Sequence, residues 1–369
     1  MAADYRVLAR STAGVKIGDI TDFLWLAYTK LLGLPGLLKL GLPAGHRLIP
    51  LLAQDCQLEV WRRNLAIGLP WYVDFFAFFL GRQESNSGGQ DFYTAVGPGQ
   101  LDLLDRRIVA WYAGTNLRSD FVAAKGETVM KNLVSYNAGA NATIVNGRLA
   151  DGTFGGKTIT IQADAAGGNS IDISAAWLPL LTTLQKVALK AGGDYDLIKT
   201  GPTTWDFRWY VTRRGVDRHL TVNFATNFGN MVDPSYTADH SKEVTVVVVG
   251  GPGLLSARQI VTRTGVAYSA ANKLEAFLDD RGDNSVAQFN TAGDAALFAG
   301  QFRDAFAFTT RQTPGCAYGL HYAVGGALGD LVTVRRNAYQ SGVQKLMGAT
   351  VAYAPDGAET IDLTLLDQT

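Results

Sequence analysis

Hydrophobic and polar positions alternate through the first hundred residues in short runs broken by turn residues. Runs at 5–9, 16–21 and 23–32 are followed by 57–63 (QLEVWRR), 71–80 and 91–96, each bounded by Gly, Pro, Asn or Ser. Short strands at this spacing predict a small barrel or sandwich. The period then lengthens. In 125–136 (KGETVMKNLVSY), Val129, Leu133 and Tyr136 recur at helical spacing, and Asn137-Ala138-Gly139 follows as a stop. A glycine-rich loop spans 146–156, and 158–162 reads as a strand. A second helix is expected over 175–191, capped by Ser174, striped by Leu178, Leu181, Leu184 and Ala188, and closed by Gly192-Gly193. A hairpin over 194–212 turns at Thr200-Gly201-Pro202.

Strand-like runs return at 218–224, 243–249 and 257–263, then helical patches at 270–279 and 291–310, then strands at 329–335, 344–353 and 359–365. The order β, α/β, β, α/β, β suggests a duplicated architecture, although no sequence repeat accompanies it.

One run poses the sharpest question. WYVDFFAFFL, residues 71–80, is apolar on both faces of a strand apart from Asp74. Strict alternation sends Trp71, Val73, Phe75, Ala77 and Phe79 to one face, and Tyr72, Asp74, Phe76, Phe78 and Leu80 to the other. An ordinary half-solvated strand does not look like this. One face fills a core, the other needs cover from an insert or a neighbouring subunit, and Asp74 must lie at the rim or be paired.

Composition narrows the class. A membrane-spanning helix needs about 20 apolar residues; no run here is that long, and the N-terminus lacks the form of a signal peptide. A soluble chain made in the cytoplasm, without stable membrane insertion, is expected. Hydrophobic residues make up 47% and charged residues only 18%, a balance that excludes disorder and favours oligomerisation. Lys+Arg and Asp+Glu are 33 each, so there is no global basic field of the kind a nucleic-acid binder shows.

The residues that carry chemistry are sparse. Cys56 and Cys316 form no disulfide framework or zinc motif and read as buried thiols. His46, His219, His240 and His321 show no metal-ligand spacing, and read as isolated surface or loop residues. Asp279-Asp280 and Asp283 form the densest acidic spot, read as a solvated helix end and turn. The glycine clusters 250–253 and 325–329 lack phosphate-loop spacing and read as tight turns, and no GxSxG elbow is present. Arginine doublets at 62–63, 106–107, 213–214 and 335–336 would place one guanidinium on each face of a strand. No catalytic residue, metal site or cofactor is assigned.

The order of the segments carries a resemblance over nearly the whole chain. IGDITDFLWLAYTKLL leads to QLEVWRRN and the aromatic strand; LDLLDRRIVAWYAGT precedes KGETVMKNLVSYNAG; LPLLTTLQKVALKAGGDYD is followed by a hairpin. Then come GVDRHLTVNFATNFGNM, EVTVVVVGGPGLLSARQIV, KLEAFLDDRGD and LGDLVTVRRN. This order resembles the tail-tip or baseplate hub proteins of long-tailed phages, which are similar in fold to the hub of contractile-tailed phages.

The resemblance implies an α+β, β-rich fold with two tail-tube-like small β-barrels and α/β inserts. The segments would be a first barrel (1–115), an α/β insert (116–205), a second barrel begun at 206–268, a mixed insert (269–325) and closing strands (326–369). It implies a non-enzymatic homotrimer at the virion tail tip, assembled in the bacterial cytoplasm. The trimer would join the sixfold tail tube to a threefold tip, with DNA only passing through its channel. Expected partners are further copies of the chain, a distal tail or tail-tube protein, the tape-measure protein, and a tip or fibre protein. The alternative is a virion-associated glycan-binding or glycan-degrading protein. The chain ends soon after its last strands, so any wall-degrading module is expected on another protein. Trp71, Phe76, Phe78, Leu331 and Val332 are the expected subunit-interface residues.

Overall fold

The computed structural model describes all residues except 1, 2, 88, 113–117, 149, 150, 155, 239, 284, 303, 304, 336–340, 355, 368 and 369. Eight strands come first: β1 (Asp4–Arg10), β2 (Lys16–Ile20), β3 (Trp25–Leu31), β4 (Leu34–Pro43), β5 (Gln57–Asn64), β6 (Leu69–Phe78), β7 (Gly81–Ser87) and β8 (Gln90–Pro98). A short helix α1 (Asp102–Asp105) leads into a first insert. It comprises β9 (Ser119–Lys125), α2 (Gly126–Asn137), β10 (Thr153–Phe154), β11 (Lys157–Ile161), β12 (Ser170–Ala175), α3 (Leu180–Ala191), β13 (Gly193–Lys199) and β14 (Thr204–Val211). Strands β15 (Asn223–Phe224) and β16 (Met231–Thr237) precede a second insert of β17 (Val246–Gly250), β18 (Ile260–Thr264), β19 (Glu275–Asp279) and α4 (Val286–Ala299). The chain closes with β20 (Ala305–Thr310), β21 (Leu331–Arg335), β22 (Ser341–Tyr353) and β23 (Glu359–Asp367).

The β body consists of two sheets. One has the order β2-β1-β5-β6. The other runs β16-β20-β23-β22-β3-β4-β8-β7, with β21 and β15 branching from β22. Strand β22 organises this sheet. Its residues 341–345 pair with β21, and 348–353 pair with β3, while its other edge holds β23 over 344–353. N-terminal and C-terminal strands therefore share one apolar core running from Ala3 to Leu365. The two sheets meet where β6 crosses β8. Ala77 bridges Gly99, and a Cβ on Gly97 would sit 2.1 Å from the Phe78 carbonyl oxygen, so only glycine permits the crossing.

In the first insert, α2 and α3 lay Val129, Met130, Leu133, Leu180, Leu184 and Val187 over the sheet β10-β11-β14-β13. In the second, α4 covers one face of β18-β17-β19 with Phe289 and Leu297. A capping box starts α4, with the Ser285 and Gln288 side chains exchanging hydrogen bonds with backbone N–H groups.

Several element expectations need correction. The helix expected over 175–191 begins only at Leu180, because Ile171, Ile173 and Ala175 alternate into the core as β12. Pro179 is its N-cap residue, and Ser174 does not cap it. The patch 270–279 contains a strand, β19, parallel to β17. The patch 291–310 is two elements: α4 ends before Gly300, and Phe306 and Phe308 point inward from β20. Of 218–224 only the last two residues are strand. Strand β4 has no counterpart among the predicted runs, since Pro35, Gly36 and Gly41 disguise it. Gly36 accommodates the bulge opposite β3 at φ +69°.

Candidate assembly site

Strand β6 is the aromatic run, and its register corrects the simple alternation. Val60 of β5 lies opposite Phe75, and Trp61 opposite Val73, so Asp74 is an extra residue in a bulge. A bulge shifts every later side chain to the other face. Phe75, Ala77 and Phe79 enter the core of the β body and Phe76 and Phe78 the core of the first insert, the split that alternation gives, while Trp71 and Val73, before the bulge, no longer share the face of Phe75.

The bulge turns Asp74 inward, where it is 4% exposed and paired. Lys30 Nζ lies 2.7 Å from Asp74 Oδ1 and 2.8 Å from the Tyr318 hydroxyl, and the Tyr28 hydroxyl donates to Asp74 Oδ2. Burial pulls the Lys30 ammonium below its ordinary value, against the pull of Asp74. Burial, reinforced by the Asp74 charge, pushes the Tyr28 and Tyr318 hydroxyls up. Next to this group, fully buried Arg62 forks onto Glu359 at 2.7 and 3.0 Å and donates to the Tyr318 carbonyl oxygen at 3.3 Å. Burial opposes its charge, but the hydrogen bond to Glu359 and the neighbouring tyrosines more than restore it. The network ties β3, β5, β6 and β23 to the segment carrying Tyr318.

The other face of β6 is covered by the first insert. The Trp205 ring of β14 stands 5.6 Å from Phe76 and 5.4 Å from Phe78, and Lys199 lies 5.0 Å above Phe76. At this joint Lys199 Nζ donates to Gln57 at 2.6 Å and Glu59 at 2.7 Å, and Gln57 donates to the Pro202 carbonyl oxygen at 2.9 Å. A cavity of 320 Å³ opens alongside, lined by Lys30, Asp74, Glu59, Lys199, Asp196 and Arg214. Its charges are matched pair by pair: Lys30–Asp74, Lys199–Glu59 and Arg214–Asp196 are each 2.7 Å apart. This lining suits water and fixed geometry better than capture of an ion.

The expected interface residues divide. Phe76, Phe78 and Val332 are buried within the chain at 6%, 0% and 1% exposure, so they present no surface to another subunit. Leu331 is half-buried at the head of β21. Trp71 is half-buried on the outer face, stacked between Arg6 at 4.8 Å and Arg63 at 4.7 Å, with Arg6 also 5.0 Å from Trp61.

Other candidates also resolve. Asp279 is exposed at the end of β19, but Asp280 and Asp283 are buried at 5% and 0%, so they are not a solvated turn. They pair with lysines of α3. Three histidines each meet one carboxylate: buried His46 with Asp22 at 3.0 Å, His219 with Asp217 at 2.5 Å, and His240 with Glu243 at 2.7 Å. These are pairs rather than ligand sets, and among the described residues no cluster of three His, Cys, Asp or Glu could hold a metal. Cys56 and Cys316 are buried free thiols, as expected, and burial pushes the Cys316 thiol up to about 12. Arg62 and Arg63 do take opposite faces of β5, one to Glu359 and one to Asp4. Arg106 and Arg107 follow α1, and Arg213 and Arg214 follow β14, so those doublets lie off the strands. Arg336 lies outside the described residues. Arg258 ties the 250–253 turn by donating to the Gly250 and Gly251 carbonyl oxygens.

Solved structures share this architecture. A tail protein from Neisseria meningitidis MC58 superposes with a TM-score of 0.59 at 10% identity, over 99% of this chain and 97% of that one. The prophage MuSo2 43 kDa tail protein from Shewanella oneidensis gives 0.58 at 10% identity, over 98% of both chains. Prophage tail protein gp18 from Listeria monocytogenes EGD-e gives 0.53 at 9%, over 99% and 95%. At such identities the likeness concerns the fold. No curated protein sequence matches the chain. The Siphovirus ReqiPepy6 Gp37-like family, however, matches residues 12–365, from the turn after β1 to the last strand. That match takes in both inserts and every strand of the β body after β1, and the chain belongs to the Siphovirus ReqiPepy6 Gp37-like protein family.

Proposed function

We propose that the chain is a structural tail hub of the virion, a homotrimer that joins a sixfold tail tube to a threefold tip and forms part of the DNA channel. The observation that carries this reading is the construction around β22. One strand pairs at one end with β21 and at the other with β3, so each chain offers two β units locked in a fixed relation. Three copies then present six units to a sixfold neighbour.

In this reading the β units are small barrels akin to the tube protein: a first from the opening strands, and a second from the strands after the first insert together with the closing strands. The α/β inserts sit around them. Tail proteins with the same fold over nearly their whole length support the assignment. The subunit contacts use Trp71, with its flanking Arg6 and Arg63, and Leu331. Equal numbers of acidic and basic residues suit a neutral or acidic lumen that lets DNA slide, because phosphate neutralisation by Lys and Arg creates affinity. The partners are the distal tail or tail-tube protein, the tape-measure protein and the tip or fibre protein, and the role is non-enzymatic. Antibody labelling of intact virions in electron micrographs tests the placement. Label at the tail tip is expected; label along the tube or on the capsid contradicts it.

A further inference from the structure

The two inserts touch through charge rather than through a shared apolar core. The second insert is built on its own small core of Val247, Val249, Phe289 and Leu297, separate from that of the first. Between them, α3 presents Lys186 and Lys190 to the segment after β19. Lys186 Nζ lies 2.8 Å from Asp280 Oδ1, and Lys190 Nζ 3.4 Å from Asp283 Oδ2. Asp283 Oδ1 accepts the Ser174 N–H of β12 at 2.8 Å. From the same side Arg118 donates to the Gly282 carbonyl oxygen at 3.3 Å and pairs with Asp120 at 3.0 Å. Gln288 of α4 donates to the Ser174 hydroxyl at 3.1 Å. The charged groups facing Asp283 are thus Lys186, Lys190 and Asp280, with the Arg118–Asp120 pair behind.

One atom is out of place in this set. Asp280 Oδ2 is buried and no donor reaches it while every carboxylate is ionised. Lys186 Nζ, 2.8 Å from Asp280 Oδ1, is also 3.9 Å from Asp283 Oδ2, and the Asp283 N–H donates to the Asp280 carbonyl oxygen at 3.3 Å, so the two carboxyls gather on one cation; one could donate to the other only if it carries a proton.

We propose that Asp280 and Asp283 form a shared-proton clamp that holds the second insert against the first: closed when one proton bridges them, loosened when both are ionised. Polar contacts between separately cored units open more readily than fused cores. The pH sense follows from burial first, then from the bond to Asp280; both push Asp283 up to about 6, above its ordinary value of 3.8. Asp283 therefore favours the docked state fully below the ordinary value, and that contribution is lost as pH rises to about 6. Asp280 moves the other way: burial opposes its ionisation, but Asp283 and the two lysines outweigh it.

Hydrogen–deuterium exchange of the full chain at pH 5 and pH 7, with labelling times scaled to the intrinsic rate, tests the clamp. Peptides from 246–299 are expected to exchange about tenfold faster at pH 7, while β22 and β23 stay unchanged. Asp283→Asn, whose amide donates to Asp280 at any pH, should remain slow at both. Lys190→Met removes a cation that favours ionised Asp283, so it should shift the midpoint to higher pH. Equal scaled exchange of the wild type at both pH values, an unmoved midpoint in Lys190→Met, or faster exchange of Asp283→Asn at both pH values overturns the proposal.

Discussion

Arg62 and Glu359, 297 positions apart, form a forked ion pair in which the guanidinium is fully buried and the carboxylate nearly so. The pair links β5 to β23 and so couples the first strands to the last. Removing one partner strands a buried charge. Glu359→Gln or Arg62→Met should each cost roughly 3–5 kcal/mol, whereas Arg62→Met with Glu359→Leu should recover much of it. Urea unfolding of the four proteins measures the difference. Additive losses in the double variant would contradict the pairing.

The first insert is anchored where Trp205 packs on Phe76 and Phe78. Trp205→Ala should destabilise by about 3–5 kcal/mol, read by thermal unfolding. Phe78→Asp places an unpaired carboxylate in the dry layer between insert and β body. Limited proteolysis should then cut within 119–211 while the core strands persist. Unchanged protease resistance would contradict this anchoring.

Glu59 gives the joint an acid dependence. Burial works against its charge, but Lys199 and then Arg10 outweigh it and hold the carboxyl below its ordinary 4.5. The folded value lies below the unfolded one, so this stabilisation is present above about pH 4.5 and is lost as pH falls through the folded value. Glu59→Gln should lower the melting temperature at pH 7 and narrow the gap between variant and wild type near pH 3.5. A gap that does not change with pH would contradict the assignment.

Cys316, raised by burial and packed in the core, should resist a thiol reagent such as DTNB at pH 8 in the folded protein and react promptly in denaturant. Rapid reaction of the folded chain at this thiol would place it nearer the surface.

Much of the fold is legible along the chain because short β runs and helix stops are local signals. The β–insert–β–insert–β order emerges from them, and residues 329–335 and 359–365 stand out as strands. The candidate site is legible in part. Leu26, Tyr28 and Lys30 share one parity in β3, as do Leu58, Val60 and Arg62 in β5, so the inward Lys and Arg could have been read from alternation. Asp74 could not be placed that way, because a bulge leaves no mark in the alternation: Phe75 to Phe79 keep the faces it assigns, but Asp74 turns away from the side of Phe76 and Phe78. The cover over Phe76 and Phe78 depends on Trp205, some 130 positions downstream in the sequence. Asp283 looked solvated because its lysine partners lie nearly a hundred residues earlier on α3, and only the tertiary contact between inserts brings them together.

A threefold hub, as proposed, requires three copies of the chain to associate. Native mass spectrometry of the purified protein at several micromolar tests it most directly. A species of three times the 39.6 kDa chain is expected, converted to monomer by Trp71→Ala combined with Leu331→Asp. A wild-type protein that stays monomeric at every concentration, or closes as a different oligomer, would contradict it.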